Sequence, residues 1–271
     1  MNAFYRNPPR RYYQISDEAS QHYNTREMPF HCDLIERIFP GASVLELGCG
    51  TAHLCGQVEA RGGTYLGVDY GGPLLEENQR RFPKARFCRM ETPPQELFDI
   101  VVSLYTIEHV VDPPAHLELM WRHCRPGGLL AIICPEFVAG PDLPPSFFYG
   151  KTPRRLRHKL QTLSLVDAGG HLLDLTVRGP RWKKRAQAMP PGAFWINLRP
   201  RVLHGAEYSI DADAVHLVQR RDLVWFLQQK GATIVQTSGD MSGISPDVLR
   251  YNCYVLAGKS STETAATVLS D

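Results

Sequence analysis

The sequence has no apolar run long enough to span a membrane, no Cys-x-x-Cys pair, no internal repeat and almost no net charge. Each absence excludes something. A spanning helix needs about 20 consecutive apolar residues, so none is expected. Met1 to Tyr13 is too polar and basic for a signal peptide. The seven cysteines (Cys32, Cys49, Cys55, Cys88, Cys124, Cys134, Cys253) are odd in number and scattered through apolar surroundings. They read as small core residues in a reduced, cytoplasmic setting, not as a disulfide framework or a zinc site. A net charge of +2 gives the whole molecule no strong attraction to nucleic acid. What remains is a 271-residue chain, 43% hydrophobic, which suffices for a packed α/β domain with an elaboration.

The most informative stretch is Ser43 to Leu54, S-V-L-E-L-G-C-G-T-A-H-L. A short apolar run breaks at Gly48-Cys49-Gly50, and an apolar pattern of helical spacing resumes at Leu54 and Val58. Strand, glycine turn and helix start together form a ligand-binding device, because glycines allow close backbone approach and a helix N-terminus offers unpaired N–H groups. About 20 residues on, Tyr65-Leu66-Gly67-Val68 ends in Asp69, where a nucleotide-binding α/β fold places its ribose acid. A dinucleotide is the first rival, but His53 stands where that fingerprint wants Gly or Ala. Glu46 would also repel a pyrophosphate and welcome a cation. S-adenosylmethionine, with an ammonium, a sulfonium, a ribose diol and no phosphate, fits better.

E-L-G-C-G-T-A followed by Asp69 resembles the first two motifs of the class I S-adenosylmethionine-dependent methyltransferases. The phrase I-E-H-V-V-D-P, a helix, then R-P-G-G-L-L resembles the same family's small-molecule and quinone O-methyltransferase branch. The resemblance runs from about Leu34 to Pro135. It implies a doubly wound, seven-stranded, mostly parallel Rossmann-like sheet, an antiparallel C-terminal hairpin and an inserted substrate cap. It also implies roles. Gly48 and Gly50, with Cys49 between them, lie under the methionine part, Asp69 takes the ribose hydroxyls with Tyr70 beside it, and Glu46 faces the ammonium. Met90 and Glu91 sit where adenine is held, and Ser103 and Leu104 border the sulfonium. Tyr23, and next Tyr13, would reach in from an N-terminal lid. Ala52 departs from the commoner third glycine.

The expected organisation is a lid over residues 1–26 and a cofactor-binding core over 27–136. A substrate cap over 137–210, a helix and strands completing the core over 211–258, and a frayed tail over 259–271 follow. The cap between Lys151 and Arg201 is basic, interleaved with aromatics and poor in regular periodicity, with only Asp167 and Asp174 as acids. Asp211 or Asp213 is expected to cap a helix running to about Lys230.

Methyl transfer needs alignment, exclusion of water and, at oxygen, a base. His109, after the fourth strand, is the first candidate for that base, with a buttressing role for Glu108 and His109 as the alternative. Tyr105 is expected to line the pocket, and His204, with Tyr208, to face it from before the last helix. A related branch holds a divalent metal with E-x-x-E-H, but Tyr105 replaces the first glutamate, so no metal is expected. The expected partner is a small acceptor, aromatic or anionic and methylated at oxygen or nitrogen, with nucleic acid disfavoured and no membrane. An RNA or protein methyltransferase using the basic cap, or a catalytically silent cofactor-binding protein, are the alternatives. Oligomeric state is left open.

Overall fold

The computed structural model describes residues 2–8, 10–21, 28–148, 156–196 and 211–261. In chain order, helices α1 (Asn2–Arg6), α2 (Arg10–Gln21) and α3 (Pro29–Glu36) lead to β1 (Ser43–Leu47). Then come α4 (His53–Ala60), β2 (Thr64–Asp69), α5 (Gly72–Arg81), β3 (Arg86–Arg89) and β4 (Phe98–Leu104). Next are α6 (Pro113–His123) and β5 (Cys124–Pro135), then the helices α7 (Leu156–Gln161), α8 (Leu165–Leu173) and α9 (Gly179–Ala188). The chain closes with α10 (Arg220–Gln229), β6 (Thr233–Thr237), α11 (Pro246–Tyr251) and β7 (Asn252–Gly258).

The strands form one seven-stranded sheet in the order β3-β2-β1-β4-β5-β7-β6. β7 runs antiparallel to both β5 and β6, and the other pairs are parallel. The inner strands β1, β2, β4, β5 and β7 are largely buried, which is why they are mostly apolar runs, whereas the edge strands β3 and β6 are partly exposed. Strand alternation splits the core in two. Val44, Ile100, Val102 and Ile133 pack with Phe30 and Leu34 of α3 and Leu54 and Val58 of α4. Leu45, Leu47, Val101 and Ile132 pack with Leu117 and Met120 of α6 and Leu223 and Leu227 of α10. Each such side chain removed from water contributes about 1.5–3 kcal/mol before entropy is set against it. Strand order reverses between β1 and β4, and the crevice at their carboxyl ends is where such sheets bind ligands.

Two sequence expectations need correction. The helix expected from Asp211 or Asp213 begins only at Arg220. Residues 212–218 are instead a buried connector whose apolar side chains fill the core without helical periodicity. Val215 and His216 donate their N–H groups to the Glu108 carbonyl at 2.8 and 2.9 Å, and Leu217 donates to the Trp195 carbonyl at 2.8 Å. The cap expected to be irregular is helical over α7 to α9. Its periodicity was concealed because the inward positions are small or polar (Ala168, His171, Asp174, Gly179, Ala186) while leucines face outward.

Candidate functional site

The turn after β1 requires its first glycine. Gly48 has φ +80°, and a Cβ there would lie 2.2 Å from the Thr106 Cγ2 atom. Thr106 Oγ1 in turn donates to the Gly48 carbonyl at 3.1 Å, which locks the β1 and β4 exits together. Ala52, at the departure from a third glycine, takes φ +53° as the residue before α4. Glycine would hold that backbone without strain. The Gly50 carbonyl accepts from Asn78 Nδ2 at 2.8 Å and the Thr51 carbonyl from Arg81, so the loop is braced from α5.

Asp69 closes the other side. Its two carboxylate oxygens accept N–H bonds from Gly50 at 2.9 Å and Gly71 at 3.1 Å. Burial raises its pKa, opposed by those N–H groups and that of Tyr70. Each oxygen retains a lone pair for a hydroxyl. Glu46 is buried, and burial pushes its carboxyl up to about 8, although the Tyr65 hydroxyl donates to it.

Around these groups lies a cavity of about 830 Å³, toward the large end of the range of about 300–1,000 Å³ for small-molecule sites. Its lining includes Glu46, Gly48, Cys49, Gly50, Asp69, Tyr70, Met90, Leu104, Tyr105 and His109 of the residues singled out in the sequence. Ser103 and Glu91 are not in it. Strand alternation turns Ser103 to the opposite face from Leu104, where its hydroxyl lies 3.0 Å from His116 Nε2. Glu91 faces outward and pairs with Arg6 of α1 at 2.9 Å. Tyr23 and His204, with Tyr208, lie outside the described residues. From α1 and α2, Tyr5, Tyr12 and Tyr13 contribute an aromatic wall.

The cavity is acidic. Among the described residues, its lining holds no lysine or arginine, whereas Glu46, Asp69, Glu108, Asp112, Glu136, Asp142 and Asp211 all contribute. Among the described residues, none of α7 to α9 lines the cavity.

His109 lines the cavity beside Asp213, Glu108 and Asp211. It follows β4 in a short 3-10 turn, Ile107–His109, held by the 215–216 backbone. Its Nδ1 lies 3.4 Å from Asp213 Oδ2, which also accepts from the Tyr5 hydroxyl at 2.5 Å. Burial alone would lower the imidazole pKa, but Asp213, Glu108 and Asp211 outweigh it and hold it above 6.5. Glu108 is fully buried and pushed up by desolvation to about 8, and Asp211 by desolvation to about 6. Tyr105, with φ +48°, stacks on His31 with ring centres 5.9 Å apart and donates to Asn252 Oδ1 at 3.1 Å.

Sequence reasoning counted Tyr5 among the tyrosines of the N-terminal lid but did not bring Tyr5, Asp211 and Asp213 together at His109. The two aspartates carried a signal, acids embedded in an apolar run, which was read as helix capping. They also bear on the metal expectation. Glu108, His109 and Asp211 each place a ligand atom within 4.8 Å of one another. Asp211 thus brings, from a distant segment, a second carboxylate beside Glu108 and His109.

Comparison with known proteins agrees with this geometry. Residues 21–237 match the family described as "Methyltransferase domain". Over 102 residues the chain is 35% identical to a trans-aconitate 2-methyltransferase of Deinococcus radiodurans, covering 35% of this chain and 39% of that protein. It is 37% identical over 181 residues to a demethylmenaquinone methyltransferase of a Mycobacterium species (strain JLS), covering 65% of this chain and 76% of that one. The chain spans about half the length of most of the curated relatives it matches, such as 53% and 52% of two ubiquinone biosynthesis O-methyltransferases. Among solved structures, an S-adenosylmethionine-dependent methyltransferase from Mesorhizobium loti superposes with a TM-score of 0.56 at 15% identity, over 87% of this chain and 98% of that one. On the breadth of the family match and the seven-stranded fold together, the chain belongs to the class I S-adenosylmethionine-dependent methyltransferases.

Proposed function

We propose that this protein moves the methyl group of S-adenosylmethionine to the oxygen of a small, neutral, aromatic acceptor, with His109 as the base. The supporting observation is that His109, seated 3.4 Å from Asp213, shares one cavity with the Gly48–Gly50 turn and Asp69. In the reaction, the acceptor oxygen bonds to the methyl carbon as the carbon–sulfur bond breaks and its electron pair returns to sulfur. The hydroxyl proton passes to His109, and S-adenosylhomocysteine leaves with the methyl ether. Asp213 orients the ring and stabilises the imidazolium that forms. The acidic lining disfavours an anionic acceptor, and the tyrosines of α1 and α2, as a lid, favour an aromatic one. The organisation into lid, core, cap and closing strands is part of the same reading. It is tested by incubating the protein with methyl-labelled S-adenosylmethionine and a panel of catechols, hydroquinones and arylamines. Label recovered on oxygen supports the reading, and label recovered only on nitrogen removes the need for His109 as a base.

A second reading has its own observation. Both Glu108 carboxylate oxygens are buried without a hydrogen-bond partner, beside His109 and Asp211. Two carboxylates and an imidazole suit a divalent cation that would lower the acceptor's pKa. Activity lost to a chelator and restored by Mg²⁺ would select this reading; indifference to the chelator selects the His109 base.

Cofactor binding should move a proton. At pH 7 the free protein carries Glu46 mostly protonated, because burial holds its pKa at about 8. The cofactor's ammonium favours the carboxylate, so binding should release about one proton per site. Calorimetry with S-adenosylhomocysteine at pH 7, in two buffers of different ionisation enthalpy, reads this directly. Glu46→Gln should bind more weakly and release no proton. Wild-type binding without proton release would show that Glu46 does not meet the ammonium.

A further inference from the structure

We propose that the outer face of α7 to α9 docks on an anionic lipid surface. Of the fourteen exposed large apolar side chains among the described residues, seven fall between Leu160 and Leu175. Scattered exposed leucines need no explanation, but a contiguous patch does. Leu165, Val166, Leu172 and Leu173 recur at helical spacing along the outside of α8, opposite the buried Ala168 and His171. The turn between α7 and α8 presents Leu163, 80% exposed and at φ +53°. Glycine or asparagine would occupy that backbone at less cost, so an exposed leucine there is a side chain offered outward at the expense of strain.

Charge names the partner. α8 continues through a π-turn, Asp174–Arg178, directly into α9, a rod of about 35 Å at 1.5 Å per residue. Its outward stripe changes from aliphatic on α8 to cationic on α9, where Arg181, Lys184 and Arg185 are exposed. The two acids of this region are held internally. Asp167 lies 3.5 Å from the buried Lys159, and Asp174 is 1% exposed and paired with Arg178 at 2.5 Å. The exposed charge over α7 to α9 is therefore all positive. An aliphatic stripe with a basic continuation is the composition of a helix lying in a membrane interface. Nucleic acid would meet the cations but leave the leucines unused, since base stacking calls for aromatic side chains. A second copy would present the same cations and no exposed acid from this face. Such docking is peripheral, since no helix among the described residues is long and apolar enough to cross a membrane. The inference does not depend on the identity of the acceptor.

Flotation of the full chain with phosphatidylcholine vesicles, with and without about one-third phosphatidylglycerol, tests it. The protein should float with the anionic vesicles only and be released at high salt. Leu163→Asn with Val166→Glu should lower the bound fraction about tenfold. Its melting temperature and cofactor affinity should be unchanged, because those side chains are 80% and 93% exposed. Arg181→Glu with Lys184→Glu should do the same through charge alone. Failure to float with either vesicle overturns the proposal, as does undiminished flotation of the leucine–valine variant. So does a dimer, seen by ultracentrifugation, that this variant dissociates. Salt-sensitive RNA binding that the leucine–valine variant leaves intact, with no flotation, would assign the face to nucleic acid instead.

Discussion

Asp69→Ala is expected to weaken S-adenosylmethionine binding by on the order of 100- to 10,000-fold while the protein stays folded. The carboxylate stands at the end of β2 with one backbone N–H on each oxygen, from Gly50 and Gly71, which fixes its plane toward the cavity. Two ribose hydroxyls donating to it would make charge-assisted bonds, each contributing about 1.5–3 kcal/mol. Removing the acceptor also leaves the Gly50 and Gly71 N–H groups without a partner, so some loosening of the glycine turn adds to the loss. The sheet itself is untouched, because Asp69 contributes to neither apolar cluster. Asp69→Asn retains one carbonyl acceptor and should fall between wild type and alanine. Calorimetric affinity together with a melting curve separates the two effects. Unchanged affinity in the alanine variant would mean that the ribose lies elsewhere.

His109→Ala should lower kcat by about 10²- to 10⁴-fold, the usual contribution of a positioned general base, with cofactor affinity held. The sign of the pH dependence follows from its surroundings. Three acids hold the imidazole pKa above 6.5, so the ring is protonated at low pH and becomes a base only as pH rises. The acidic limb of kcat/KM should accordingly lie above 6.5. Asp213→Asn removes a charge that raises this pKa, so the limb should move to lower pH while the maximal rate falls through loss of orientation. Parallel loss of turnover and cofactor binding in His109→Ala would identify the residue as a structural brace of the 107–109 turn.

How far the sequence could be read depended on how local each feature is. Glycine turn, strand-end acid and strand runs are contiguous signals, and each residue's neighbours impose its geometry. Gly48 must be glycine because Thr106 abuts it, a contact the sequence does not display but whose result it does. The His109 environment is different in kind. Tyr5, Asp211 and Asp213 approach it from segments about a hundred residues away in either direction, and no local periodicity announces that meeting. Residues 212–218 misled because an apolar stretch interrupted by Asp213 and His216 suits a buried connector as well as a capped helix. The cap misled for the opposite reason. Its leucines point outward, so the usual rule that apolar positions mark the interior returned no clear pattern.

The position of β7 governs the order in which the protein is completed during synthesis. Although it is the final strand in chain order, it lies inside the sheet, between β5 and β6. Among the described residues β6 pairs with no other strand, and the β5 edge that β7 covers stays open until β7 arrives. While the ribosome is still making the cap and α10, the nascent chain therefore carries an unpaired strand edge flanked by core leucines, isoleucines and valines. Such edges recruit other chains and are the surfaces that chaperones shield. Asn252–Gly258 pairs with both neighbours, so the sheet cannot be complete until that strand has been made.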